Sequence, residues 1–151
     1  MRYFEDFEEG QVIELGSRQL NEPEIIAFAR EYDPQPFHLD HEMGKASLFG
    51  GLAASGWHTG AIIMRMFADT VLKETDSMGS PGVENLRWLK PVYPGDTISA
   101  RTVILETRPS SSRPNMGIVK HRWEGRNQAG EVVMTLVATN FFGRHPQPEG
   151  E

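Results

Sequence analysis

One segment, residues 56–73, restricts the possible folds of this chain more than any other. Over residues 57–72 the only charged side chains are Arg65 and Asp69, which are four positions apart and can pair on a helix surface. Apolar side chains occupy most of the remaining helix circumference, and a helix of that kind is normally buried. The rest of the chain must therefore enclose one central helix, for which Ser55 is the expected N-cap.

The segments beyond this helix have the composition of β-strands separated by turns. We predict four of them, at residues 82–89, 97–107, 117–124 and 131–142. An earlier strand is expected over residues 12–18, and a helix begins with Asn21 as its N-cap. An antiparallel sheet curled around one central helix satisfies these elements, which predicts an α+β fold. A single domain should span residues 1–151, with a frayed tail from about 143.

A proline-rich segment before the central helix holds the candidate catalytic pair. Asp33 and His38 are five residues apart, with Pro34 and Pro36 between them. Proline fixes its own φ and disfavours helical geometry in the preceding residue, so the first helix should end near Asp33 and lead into a stiff, extended loop. A carboxylate and an imidazole held at a fixed separation are suited to acid–base chemistry. The spacing alone also fits a turn-forming Asp33 and a packed His38.

Composition excludes several functional classes. The chain has no cysteine, so disulfides and thiolate metal sites are ruled out, and a reducing, cytoplasmic compartment is expected. A formal net charge of −6 argues against a nucleic-acid partner. No apolar run reaches the length of about 18 residues that a membrane span requires, and no signal peptide is apparent. The five histidines show no metal-ligand spacing, so no metal is expected.

Three separated motifs resemble the MaoC-like dehydratases, single-hotdog relatives of the (R)-specific enoyl-CoA hydratases. Residues 32–38 are similar to the family pattern Gly-Asp-x-Asn-Pro-aliphatic-His. Residues 51–58 are similar to the family's small-residue segment leading into the central helix, and residues 86–96 to its strand and turn beyond that helix. The likeness covers about residues 7–142 and implies the hotdog fold.

The resemblance also implies a reaction, the reversible hydration of a 2-enoyl-CoA to an (R)-3-hydroxyacyl-CoA. In it, Asp33 and His38 would activate the water and return a proton, while the Gly56 N–H would hold the charge on the thioester oxygen. A helix N-terminus suits that task because its N–H groups are unpaired and its dipole end is positive; helix packing is the other interpretation of the glycine. Further substrate contacts are expected from Gln35, Phe37, Ser55 and Trp57, although capping alone would also explain the serine. No cofactor is expected beyond the CoA of the substrate.

Two alternative functions remain open. A hotdog thioesterase usually carries its carboxylate on or near the central helix, where this chain offers only Asp69. A non-catalytic acyl-CoA-binding protein is the other, because Tyr32 and Gln35 replace the glycine and asparagine of the family pattern.

The family further implies a homodimer or a dimer of dimers whose sheets join edge to edge, and a place in fatty acid metabolism. The acyl group itself is not fixed by the sequence. If the aromatic side chains of Phe37, Trp57 and Trp88 line the acyl tunnel, they indicate a short acyl chain.

Overall fold

The computed structural model describes residues 1–147 and contains a five-stranded antiparallel sheet with the order β1-β3-β4-β5-β2. The strands are β1 (Val12–Gln19), β2 (Ser77–Trp88), β3 (Thr97–Pro109), β4 (Met116–Arg126) and β5 (Val132–Gly143). The helices are α1 (Glu22–Tyr32), α2 (Pro36–Leu39), α3 (His41–Lys45) and α4 (Gly56–Thr70), with short 3-10 turns at Phe4–Asp6 and Leu72–Glu74. Four strands follow the central helix α4, so the predicted α+β hotdog architecture is confirmed.

Helix α4 packs along the inner face of the sheet. Ile63 lies over Gly125 of β4, where a side chain on the glycine would collide with it, and Phe67 contacts His121 and Trp123 of the same strand. Burying an isoleucine or a phenylalanine in this way stabilises the fold by about 1.5–3 kcal/mol each. The helix therefore anchors the core, which runs from Phe4 to Phe142.

The prediction of a helix buried on nearly all sides is wrong for one face. Trp57 is 59% exposed and Met64 43% exposed, and Ala61 lies exposed between them, so these apolar residues form a stripe along α4. The helix also ends at Thr70 instead of about residue 73, and a 3-10 turn follows it. Apolar residues on every face of a helix indicate that each face can be buried. They do not indicate whether the same chain or another molecule covers a given face.

Strand β2 is an edge strand that pairs only with β5. It starts at Ser77, five residues earlier than predicted, and almost every position in it is exposed. The exposed residues include the apolar Val83 and Trp88. An edge strand of this length presents a row of backbone N–H and C=O groups that can pair with another strand.

The proline-rich segment follows the prediction at its start and departs from it afterwards. Helix α1 has the capping box predicted at Asn21 and ends at Tyr32, with Asp33 as its C-cap. The backbone then stays extended only through Gln35, because α2 begins at Pro36. Proline suits a first helical position, since its missing N–H would be unpaired there. The loop expected to be extended throughout is therefore closed by one helical turn, which carries His38.

The first residues after β5 are hydrogen-bonded to the rest of the protein. Strand β5 continues through Gly143, and the Arg144 N–H donates to the carbonyl of Asn115. The Arg144 side chain and the His145 N–H both donate to the Glu5 carboxylate, at 3.1 and 3.0 Å. Fraying was predicted from about residue 143, and the hydrogen bonds extend as far as His145. Residues 148–151 lie outside the described part of the chain. Among residues 1–147, no helix is long and apolar enough to cross a membrane.

Candidate active site

A cavity of about 450 Å³ lies where the end of α1, the helix α2, the first turn of α4 and the segment after β2 meet. Polar and aromatic side chains from the first half of the chain line it, including those of Tyr32, Asp33, Gln35, Phe37, His38, Phe49 and Trp57. Gly56 and Thr59 of α4, Trp88, the segment 89–92 and Val133 complete most of the wall. The cavity wall mixes polar with aromatic groups.

Both oxygens of the Asp33 carboxylate are hydrogen-bonded inside this cavity. The Ser55 hydroxyl donates to Oδ2 at 2.7 Å, and the Gln35 amide donates to Oδ1 at 2.6 Å. Partial burial opposes ionisation, but these hydrogen bonds and the neighbouring His38 outweigh it, so the pKa of Asp33 lies below its ordinary value. The carboxylate is therefore ionised at neutral pH and acts as an acceptor.

The imidazole of His38 is buried and its orientation is fixed by a backbone group. Nδ1 lies 2.6 Å from the carbonyl oxygen of Ala53. A carbonyl can only accept, so Nδ1 carries the proton, and in the neutral ring Nε2 is left with a lone pair. Nε2 lies 3.4 Å from Asp33 Oδ2. With the ring neutral, two acceptors stand side by side, an arrangement that suits a water molecule donating one hydrogen to each.

The N-terminus of α4 borders the same cavity. Within residues 1–147, no acceptor is bonded to the Gly56 N–H, whereas the Ser55 hydroxyl accepts from the Trp57 N–H at 3.3 Å. Gly56 is also needed for packing, because a Cβ at this position would overlap the indole of Trp88. Both interpretations of the glycine, close packing and a free N–H, are therefore compatible with its surroundings. Ser55 has a second role besides capping, since it also holds Asp33.

The remaining predicted substrate contacts occupy different parts of the cavity. Phe37 packs edge-on against His38, with ring centroids 4.6 Å apart, and contacts Phe49. Trp57 meets Trp88 in a T-shaped contact at 5.0 Å. Of the seven predicted site residues, six line the cavity and Ser55 lies behind it, connected through Asp33.

Some contributors were not anticipated from the sequence. The Ala53 carbonyl, which orients His38, has no signature in the side-chain pattern. Phe49 precedes the small-residue segment 51–58 and has no signal of its own, and Thr59 lies one turn after Gly56, where helical spacing could have indicated a shared face. Val133 comes from β5, which no local signal connects to the motif segment.

One further histidine lies apart from this chemistry. His58, on α4, is buried against Phe28 with stacked rings 4.6 Å apart and does not line the cavity, so it is part of the core. In the described residues 1–147, no group of three or more histidine, aspartate or glutamate side chains could hold a metal ion.

Solved structures with the same fold include proteins of the hydratase and dehydratase class. A MaoC-like dehydratase from Rhodospirillum rubrum is 41% identical, with a TM-score of 0.91, and the match covers 97% of this chain and 100% of that one. The R-hydratase PhaJ1 from Pseudomonas aeruginosa, in its unliganded form, is 27% identical with a TM-score of 0.76, and the match covers 99% of this chain and 92% of that one.

Among curated relatives, the uncharacterized protein YdeM from Bacillus subtilis is 30% identical over 115 residues, which are 76% of this chain and 80% of that protein. A mesaconyl-CoA hydratase from Cereibacter sphaeroides is 37% identical over 62 residues, which are 41% of this chain and only 18% of the hydratase.

An antiparallel sheet around one central helix is the hotdog fold, and these solved structures of the hydratase and dehydratase class share it with this chain. The family model of the MaoC-like domain matches residues 6–122. This chain therefore belongs to the MaoC-like domain family.

Proposed function

We propose that this protein catalyses the reversible hydration of a 2-enoyl-CoA to an (R)-3-hydroxyacyl-CoA, with Asp33 and His38 as its acid–base pair. The observation that carries the proposal is the pair of adjacent acceptors, Asp33 Oδ2 and His38 Nε2, 3.4 Å apart at a cavity bordered by the Gly56 N–H. The likeness to an R-hydratase and to part of a mesaconyl-CoA hydratase supports the same reaction class.

In the forward reaction the water oxygen adds to C3 of the enoyl thioester, and the electrons of the C2–C3 double bond move toward the thioester oxygen. The water gives up one proton to the Asp33–His38 pair, and the pair delivers a proton to C2, so that no proton is gained or lost overall. The Gly56 N–H stabilises the enolate-like oxygen. One preorganised donor of this kind contributes about 3 kcal/mol to the transition state.

The two departures from the family pattern are compatible with this chemistry. Gln35, in place of asparagine, still reaches Asp33 and donates to its outer oxygen at 2.6 Å. Tyr32, in place of glycine, is 67% exposed at the rim of the cavity. The longer amide and the tyrosine ring therefore adjust the entrance to the cavity while leaving Oδ2 directed toward His38.

A thioesterase mechanism finds less support. Asp69, the carboxylate of the central helix, lies thirteen positions after Gly56, which corresponds to about 20 Å along a helix. It pairs with Arg65 at 2.8 Å, and both side chains are mostly exposed. Asp69 is thus unsuited to chemistry at the helix N-terminus.

The proposal includes a homodimer joined through β2. Among the described strands, this edge strand pairs on one side alone, and it includes the exposed Val83. A second copy pairing along β2 would satisfy the backbone groups on its other side. A cytoplasmic location and a role in fatty acid metabolism belong to the same proposal, supported by the cysteine-free composition and the substrate class.

The experiment that tests the proposed reaction follows the loss of conjugated enoyl-thioester absorbance with crotonyl-CoA, with the configuration of the product determined by chiral chromatography. Asp33→Asn and His38→Ala should each lower kcat/KM by about 10²-fold or more. His41→Ala is the matched control, because His41 is an exposed histidine whose partner is Glu22 at 2.7 Å. Its activity should equal that of the wild type.

Three results would reject the proposal. Release of free thiol from saturated acyl-CoAs, abolished by Asp69→Asn, would identify a thioesterase. Binding of acyl-CoA without turnover of any enoyl-CoA would identify a binding protein. Full activity in Asp33→Asn would remove the acid–base role of the pair.

A further inference from the structure

A second cavity lies directly beside the candidate active site and shares two of its wall residues. This apolar groove, of about 310 Å³, runs between α4 and β2. Trp57 and Trp88 line both the active-site cavity and the groove. The two indoles thus stand at the boundary between the two spaces.

The contact between the indoles makes this boundary a continuous wall. Their rings meet in a T shape with centroids 5.0 Å apart and an interplanar angle of 80°. Trp88 also rests against the α-carbon of Gly56, where a Cβ would overlap its ring. The wall therefore stands directly at the helix N-terminus, the point at which the thioester carbonyl is placed in the proposed reaction. An acyl chain extending from that carbonyl has little room before it meets the indoles.

The groove behind the wall is suited to a hydrocarbon chain. Among the described residues lining it, none is charged, and its inner surface includes Gly60, Met64, Leu86 and Met134. The thioether of Met134 packs beside Gly60 of α4, since a Cβ built at that position would lie in ordinary van der Waals contact, 3.6 Å from the methionine methyl. If the wall were opened, this groove would therefore bind the distal carbons of a longer acyl chain.

The charges at the active-site cavity bear on the acyl group as well. Among the described residues that line it, Lys90 is the one lysine or arginine. Lys90 is already paired with Glu131, and Asp33 is anionic. An acyl group carrying its own carboxylate would face Asp33 without a free cation to compensate it.

We infer that Trp57 and Trp88 close the acyl end of the active site, so that this protein selects short, uncharged acyl groups, and that removing either indole opens the site to the groove. The inference rests on the proposed function for where the thioester lies. It assigns the two tryptophans as residues that determine chain length.

The test compares wild type with Trp88→Ala and Trp57→Ala. Binding of the saturated butyryl-CoA and octanoyl-CoA is measured by calorimetry, and hydration of crotonyl-CoA and 2-octenoyl-CoA by absorbance. Wild type should favour the four-carbon group in both assays. In each variant the preference for the eight-carbon over the four-carbon acyl group should rise about 10-fold or more in both assays. One methylene group gained or lost in an apolar pocket changes discrimination by about that factor. Mesaconyl-CoA, with its extra carboxylate, should be a poor substrate for wild type.

Controls separate a lost wall from a damaged fold. Leu105→Ala removes a partly exposed apolar side chain from β3, outside both cavities, and should leave the chain-length ratio unchanged. Trp88→Phe retains a smaller ring against Gly56, and it replaces Trp88→Ala in the test if Trp88→Ala does not fold. Thermal unfolding and elution volume are recorded for every variant, because the groove adjoins the exposed strand β2.

Several outcomes overturn the inference. Equal preference of wild type for both chain lengths, efficient hydration of mesaconyl-CoA, or an equal loss for both chain lengths in the folded variants would each do so. A groove already closed by a second copy would give no gain for octanoyl-CoA, which also counts against it. If no enoyl-CoA is hydrated, the proposed function fails, whereas the ratio of binding constants still decides the role of the tryptophans.

Discussion

Replacing Ser55 with alanine tests whether one hydroxyl supports both the central helix and the carboxylate. Ser55 is fully buried, caps α4 through the Trp57 N–H, and donates to Asp33 Oδ2 at 2.7 Å. Loss of an N-cap costs about 1 kcal/mol. Loss of a hydrogen bond to a charged group costs about 1.5 kcal/mol or more, of which water recovers part, because the Asp33 side chain is 17% exposed. We therefore expect Ser55→Ala to lower the free energy of unfolding by about 2 kcal/mol.

The same substitution should change the pH dependence of activity. Hydrogen bonds from Ser55 and Gln35 help to hold the pKa of Asp33 below its ordinary value against the opposing effect of burial. Without Ser55 the pKa rises, so the acid limb of the kcat/KM profile moves to higher pH. The stability supplied by ionised Asp33 is present above its unfolded-state pKa and is lost as pH falls through the lower folded-state pKa. In the variant the folded-state pKa lies closer to the unfolded-state pKa, so the loss should be smaller and should be complete at a higher pH.

Ser55→Gly separates the two roles of the hydroxyl. Glycine at an N-cap costs only a few tenths of a kcal/mol relative to serine, so most of the capping is kept while the bond to Asp33 is lost. Urea unfolding and a pH–rate profile are measured for both variants. We expect the same shift of the acid limb in both, with a smaller loss of stability for glycine. An acid limb that stays at the wild-type position in both variants would refute the reasoning.

Three more predictions follow from single contacts. Gly56→Ala places a Cβ against the Trp88 indole, so the ring must move. The free energy of unfolding should fall by at least about 1 kcal/mol, and the rate of hydration should fall as well. Gly60→Ala is the control, because its Cβ would lie 3.6 Å from the nearest neighbour, and it should change the stability and the rate less. His121 is buried, and burial lowers its pKa despite a hydrogen bond to Asn140. The unfolded state then binds more protons, so stability should fall as pH drops below the unfolded-state pKa of about 6.5; urea unfolding from neutral to mildly acidic pH should show a weaker pH dependence in His121→Gln. Val83→Lys puts a charge on the exposed β2 edge and should shift light-scattering mass from dimer to monomer, whereas Val12→Lys, on the opposite edge strand, should not; an unchanged dimer in Val83→Lys would place the interface elsewhere.

Local signals in the sequence were sufficient for much of the fold. The capping residues Asn21 and Ser55 define where α1 and α4 begin, and the pair Pro34 and Pro36 marks where α1 ends. Proline also explains what was missed, because Pro36 begins a helical turn as readily as it prevents one. The exposed face of α4 could not be predicted, since composition does not specify which molecule covers an apolar surface.

The sequence predicted several members of the candidate site, but not the contacts that connect them. The Asp33–His38 spacing and the glycine at 56 are visible in one stretch each. The bonds that orient them link residues 15 and 22 positions apart, from His38 to the Ala53 carbonyl and from Ser55 to Asp33. Such contacts depend on how α1 and α4 approach one another, and no residue type encodes them. The contact between Trp88 and Gly56 joins segments even further apart along the chain.

The hydroxyl of Ser55 has a consequence for how this protein loses activity. One oxygen atom connects the carboxylate to the first turn of α4, so fraying of that turn releases Asp33 and disorders the Gly56 N–H in the same event. Local opening of a helix end requires far less free energy than global unfolding. Mild heating or denaturant should therefore abolish activity while the sheet is still folded. Activity then reports the state of the α4 N-terminus and not that of the whole fold.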